Sequence, residues 1–150
     1  MVITLMGRTN IRYPLKSSAG DTPSRGKLLK DYLSPSPASS SRPQVEEYLR
    51  SHEASADQYD GFNLLLFDLK DDTKVGYLTN RPQATYTDLS PSGIRARGGE
   101  GTQGLSNSPM DKPFEKVETG KDRMSEELRD WTTRKEDEED LMDRMMDMLS

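Results

Sequence analysis

The apolar positions along this chain fall into blocks whose spacing predicts the elements. Leu28, Leu29, Tyr32 and Leu33 recur at helical intervals, which predicts a helix over 23–33 with one apolar face. Thr22 followed by Pro23 offers an N-cap and a proline at the first helical position. Val45, Tyr48, Leu49 and His52 stand at i, i+3, i+4 and i+7. They predict a second amphipathic helix, with Ser41 and Gln44 as its capping box. His52 falls at the edge of that stripe, where a lone histidine is far more often a satisfied surface residue than a ligand or a base.

Strand patterns follow. Over 62–69 both alternating sets are largely apolar: Phe62, Leu64 and Leu66 on one, Leu65, Phe67 and Leu69 on the other. A strand covered on both faces reads this way. Residues 70–73 make a polar turn and 74–79 the returning strand of a hairpin. Residues 84–89, with Thr85 and Thr87 alternating, form a third candidate strand, and Val2, Ile3 and Leu5 mark a short strand over 1–6.

The remaining stretches punctuate or extend these blocks. Residues 34–43 hold five serines and three prolines and read as a flexible surface insertion. Residues 90–104 are rich in turn formers, with glycines at 93, 98, 99, 101 and 104. Phe114, Val117, Met124, Leu128 and Trp131 predict a further helix, weakened by Gly120. Thr133 and Glu136 fit a capping box for a last helix, whose acidic first turn at 136–140 suits the helix dipole. Leu141, Met142, Met145, Met146, Met148 and Leu149 then lie along one broad apolar stripe.

Composition narrows the classes open to such a chain. Its 150 residues allow a single domain, yet only 31% are hydrophobic and 31% are charged, with a mean hydropathy of −0.89. That is a thin supply for a full core. The absence of cysteine excludes a disulfide scaffold, a cysteine-ligated zinc site, an iron–sulfur cluster and a cysteine nucleophile. One histidine leaves no histidine-rich metal site. A net charge of −5 argues against general nucleic-acid binding. The longest strongly apolar run, 64–67, is far below the roughly 18 residues that cross a bilayer. The first ten residues lack the basic start and apolar core of a secretory signal.

Three short patterns invite chemistry and fail its requirements. Gly99-Glu100-Gly101-Thr102-Gln103-Gly104 matches G-x-G-x-x-G, but no strand leads in and Pro109 follows closely, so a pyrophosphate cradle is not expected. Gly104-Leu105-Ser106-Asn107-Ser108 misses the last glycine of a nucleophile elbow, and the only histidine lies upstream. The acidic run at 136–140 lacks the alternating ligands and central glycine of a calcium loop. The methionine stripe has two readings, the core face of a helix or an adaptable surface for a protein partner or self-association. Catalytic, cofactor-binding and metal-ligating residues are therefore expected to be none.

An ordered set of blocks resembles one family. Tyr59-Asp60-Gly61-Phe62-Asn63-Leu64-Leu65, then Gly76-Tyr77-Leu78-Thr79-Asn80-Arg81, then Gly101-Thr102-Gln103-Gly104-Leu105-Ser106-Asn107 resemble the Transport and Golgi Organization 2, or NRDE-domain, family. Pro113-Phe114 resembles the helix start that follows in that family, and Thr9-Asn10-Ile11-Arg12 and 24–33 resemble its earlier blocks. The family's Asn-Arg-Asp-Glu motif and Met-Cys start are not present, so the chain looks like an internal segment of a full member. The resemblance implies a partial four-layer αββα sandwich, similar to N-terminal-nucleophile hydrolases, within one domain over 1–150. It implies a role in Golgi organisation and protein secretion, non-catalytic as the chain stands, and a cytoplasmic, Golgi-associated or mitochondrial place. A relic of an amide hydrolase is the alternative, since Val2 offers no nucleophile after loss of Met1. A binding module using the methionine stripe is another. Asn63, Asn80, Arg81, Gly104, Ser106 and Asn107 match family motif positions, either as turn-forming structure or as a ligand site.

Overall fold

A computed structural model describes residues 2–8, 23–34, 41–69, 73–96, 102–106, 108–135 and 137–149. It shows a mixed α/β chain. The elements run β1 (Val2–Arg8), α1 (Gly26–Leu33), α2 (Val45–Glu53), β2 (Phe62–Asp68), β3 (Lys74–Thr79), β4 (Thr85–Asp88), α3 (Pro91–Ala96), α4 (Glu115–Arg134) and α5 (Glu138–Leu149). A 3-10 turn at Ala56–Gln58 joins α2 to β2. The chain divides into two compact units: Met1–Gly99 with Asn107–Pro109, and Glu100–Ser106 with Met110–Ser150.

In the first unit the four strands form one antiparallel sheet in sequence order. The hairpin sets its register, with Leu64 opposite Leu78 and Leu66 opposite Gly76. Because strand side chains alternate, this puts Phe62, Leu64, Leu66 and Leu78 on one face. Leu28 and Tyr32 of α1 and Val45, Tyr48 and Leu49 of α2 close over that face in a single buried cluster. The period-2 stripe of β2 and the 3.6-period stripes of both helices are thus halves of one core. The opposite face is buried at Asn63, Leu65, Tyr77 and Thr79, but Phe67 is half-buried and Leu69, beyond the end of β2, is exposed, so the expected cover on both faces holds only for the first part of the strand.

Gly76 sets the closeness of α2 to the sheet. A Cβ at that position would lie 2.5 Å from Leu49 Cδ1 and 2.7 Å from Val45 Cγ1, so any larger residue would push those side chains aside. The Tyr48 hydroxyl donates to the Leu28 carbonyl and locks α2 to α1. On the edge strand β4, the Tyr86 N–H donates to Glu53 Oε1 at 3.0 Å, and the Arg50 guanidinium lies 4.5 Å above the Tyr86 ring. Such side-chain cover occupies an edge donor that would otherwise be open to another strand.

Helix starts differ from the expectation. Helix α1 begins at Gly26, behind Arg25, with Lys27 N–H donating to Ser24 O over a tighter first turn. Pro23 lies outside the helix, and Thr22 falls outside the described residues. Helix α2 begins at Val45 with Gln44 as an N-cap that makes no side-chain bond. The Ser41–Gln44 box is therefore not formed, because Gln44 is itself the extended cap residue rather than the third helical one. Most of the 34–43 insertion lies outside the described residues. Within 90–104, Pro91–Ala96 forms a short helix where only turns were expected. Asp88 Oδ1 accepts the Ser90 N–H at 2.9 Å just before it.

The second unit is built on α4 and α5. Gly120 does not break α4: it is exposed, and a Cβ there would meet nothing within 4 Å. Of the expected Thr133–Glu136 box, Glu136 lies outside the described residues. Thr133 stays inside α4, its hydroxyl donating back to Arg129 O at 2.8 Å. Lys135 ends α4 in the left-handed region at φ 56. Asp137 then caps α5, its Oδ1 accepting the N–H groups of Glu139 and Asp140 at 3.0 Å each, the bond pattern of an N-cap carboxylate. The indole of Trp131 donates to Asp137 O at 2.7 Å and fixes the turn between the helices.

Candidate functional site

Motif residues of the first unit meet at the end of the β2–β3 hairpin. Asn80 follows the last residue of β3 and is fully buried. Its Oδ1 accepts the Phe62 N–H at 2.9 Å. Its Nδ2 lies within bonding distance of the carbonyls of Ala56 at 2.9 Å, Tyr59 at 3.0 Å and Asp60 at 3.2 Å. One amide thus holds the whole approach to β2. A buried backbone group without a partner costs about 1–3 kcal/mol, so this side chain answers a need that the loop's tight path creates. Arg25 continues the pattern, its Nη1 donating to Gly61 O at 3.2 Å.

Thr79 and Arg81 finish the same corner. Thr79 Oγ1 lies 3.1 Å from Phe62 O and 3.2 Å from Arg81 O, and accepts the Arg81 N–H at 3.3 Å. The Arg81 guanidinium turns back to donate to Asn80 O at 2.8 Å. The Arg81–Pro82 peptide is cis. Asn63 lies across the sheet from this loop clamp, on the face opposite α1 and α2. Its Oδ1 accepts the Tyr77 hydroxyl at 2.8 Å and its Nδ2 donates to Ser108 O at 3.3 Å. It therefore ties the hairpin to Ser108, which is buried along with Pro109.

Gly104 and Ser106 belong to the second unit. Gly104 does not adopt the left-handed conformation a turn glycine often supplies. Instead, a Cβ there would lie 2.7 Å from Val117 Cγ1 and 3.0 Å from Lys121 Cγ, so glycine lets the 102–106 loop lie against α4. Thr102 Oγ1 and Ser125 Oγ, 2.9 Å apart, join the same loop to the same helix. Ser106 is half-buried, and Asn107 lies outside the described residues. The structure brings Asn63, Asn80 and Arg81 to one end of the sheet and places Gly104 and Ser106 in a loop on α4.

Arg25, Tyr77 and Thr79 complete the arrangement and carried no separate signal in the sequence. Tyr77 and Thr79 stood inside a strand pattern, where a polar side chain reads as an alternating position rather than as a partner for Asn63 or for a loop carbonyl. His52 is a satisfied surface histidine: its Nδ1 lies 2.9 Å from Tyr48 O, and its ring packs 4.4 Å from the Tyr48 ring. Burial pushes the Tyr48 hydroxyl well above the ordinary tyrosine range, with Asp31 adding to the effect. Among the described residues, no group of three or more His, Asp or Glu side chains is placed to hold a metal ion. No helix among them is long and apolar enough to cross a membrane.

Fold and site therefore define a mixed α/β protein whose motif amides in the first unit bind its own buried polar groups. The model of the family described as Transport and Golgi organisation 2 matches residues 6–150, and the chain belongs to that family. Neither the curated proteins nor the solved structures gave a significant match.

Proposed function

We propose that this chain acts in Golgi organisation and protein transport as a non-catalytic family member, in the cytoplasm and in association with the Golgi. The observation that carries the role is the family match over 6–150. The non-catalytic part is supported by the use of Asn80 and Asn63. The Asn80 amide is taken up by Phe62, Ala56, Tyr59 and Asp60, and the Asn63 amide by Tyr77 and Ser108. Side chains committed to buried groups of the chain itself hold a fold, and activity of such a chain rests on what it binds. The test is depletion of the endogenous protein from cells, followed by timing of a secreted reporter and re-expression of this chain. Slowed secretion with scattered Golgi membranes, reversed by the chain, is the expected result. Normal secretion with defects confined to mitochondria would overturn it and favour the mitochondrial alternative.

A further inference from the structure

On α5 the half-buried residues Leu141, Arg144 and Met145 share one side of the helix. Arg144 Nη1 lies 3.2 Å from Glu127 Oε2 of α4, which identifies that side as the one facing α4. Met142 and Met146, one turn apart, stand beside it with 58% and 62% of their surface exposed. At helical spacing the next positions round the cylinder are Glu139, Asp143 and Asp147, all exposed. Residues 136–150 hold seven acidic side chains against one basic, Arg144. The whole second unit, 100–106 with 110–150, has fifteen acidic and eight basic residues for a net −7. The first unit has eleven and thirteen, for a net +2.

We propose that the Met142–Met146 ridge of α5 docks a cationic amphipathic helix of a partner protein. The ridge supplies unbranched, polarizable side chains that adapt to the apolar stripe of such a helix. Glu139, Asp143 and Asp147 supply charge where lysine and arginine flanking that stripe would fall. Charge also selects against the other occupants. A second copy would bring seven carboxylates against seven, with one arginine on each side. An anionic membrane surface would repel the same carboxylates. A small apolar contact ringed by charge gives a transient complex with fast, salt-sensitive association.

The probe is a fluorescent 18-residue helix of leucine and lysine in amphipathic order, titrated with the full chain by anisotropy. Two control peptides have the same composition in scrambled order and the same order with glutamate for lysine. Saturable binding of the ordered lysine peptide alone is expected. It should weaken at least tenfold in Met142→Gln/Met146→Gln. In Glu139→Gln/Asp143→Asn it should weaken and lose part of its salt dependence. Both pairs are exposed and helix-compatible, and circular dichroism checks that each variant folds. Equal binding of the scrambled peptide, unchanged binding by the methionine variant, or no binding at all would overturn the proposal. So would a concentration-dependent dimer, seen by light scattering, that the methionine variant abolishes.

Discussion

Asn80 carries more of this structure than any other polar side chain described. It is fully buried and serves one backbone donor and three acceptors. Asn80→Ala leaves several of these groups without partners inside the protein, and should cost about 3 kcal/mol. Urea unfolding measures it, and a loss below about 1 kcal/mol would show that the loop finds other partners. Tyr32 is the opposite case. Its ring is buried in the core beneath α1, but its hydroxyl has no hydrogen-bond partner among the described residues. Tyr32→Phe removes a desolvated group and keeps the shape, so stability should be unchanged or higher by up to about 1 kcal/mol in the same assay. At this scale the sequence was partly legible. The family pattern singled out Asn63, Asn80 and Gly104, but the roles depend on distant partners. Nothing near Asn80 in the chain shows that Ala56 will lie 2.9 Å from its amide, and the close packing on Gly104 comes from α4, which begins well after it.

Among the elements, periodic burial was the strongest signal, and capping the weakest. The β3 bounds follow from the polar turn at 70–73 that precedes it, and the burial of both faces at the start of β2 follows from apolar residues in both alternating sets. The helix starts depend on single hydrogen bonds. Asp137 outcompeted Thr133 for the α5 cap because α4 runs on through Thr133 to Arg134. Gly76 tests the packing of α2 on the sheet. Gly76→Ala drives a methyl into Leu49 and Val45 and should cost about 1–3 kcal/mol, as overpacking does. In a Leu49→Ala/Val45→Ala background the same change should be much milder. Equal cost in both backgrounds, measured by a thermodynamic cycle, would place the effect in the strand rather than in the contact.

For the molecule as a whole, the thin apolar supply is concentrated rather than spread. Tyr32, Leu28, Leu49, Phe62, Leu64, Leu66 and Leu78 form one core in the first unit, and much of the excess charge lies on the helices of the second. Tyr48 links that core to pH. Burial raises its hydroxyl above the value of 10.0 it has when exposed. Below that pH both folded and unfolded chains hold the proton, and the group has no effect on stability. Above it the unfolded chain ionises first, so stability should fall by about 1.4 kcal/mol per pH unit for this group. Thermal melts from pH 8 to 11 should show a plateau and then a decline. Tyr48→Phe, less stable at pH 8 for want of the Leu28 bond, should decline less steeply.

Under the proposed function, the Asn80 corner maintains the fold and takes no part in chemistry. The most direct test is transport rescue by Asn80→Ala at a temperature where the variant is shown to be folded. Rescue of secretion equal to that of the unaltered chain is expected, with rescue lost only on warming through the variant's lower melting point. A folded Asn80→Ala that fails to restore secretion would contradict it, and would place Asn80 in a ligand or reaction site.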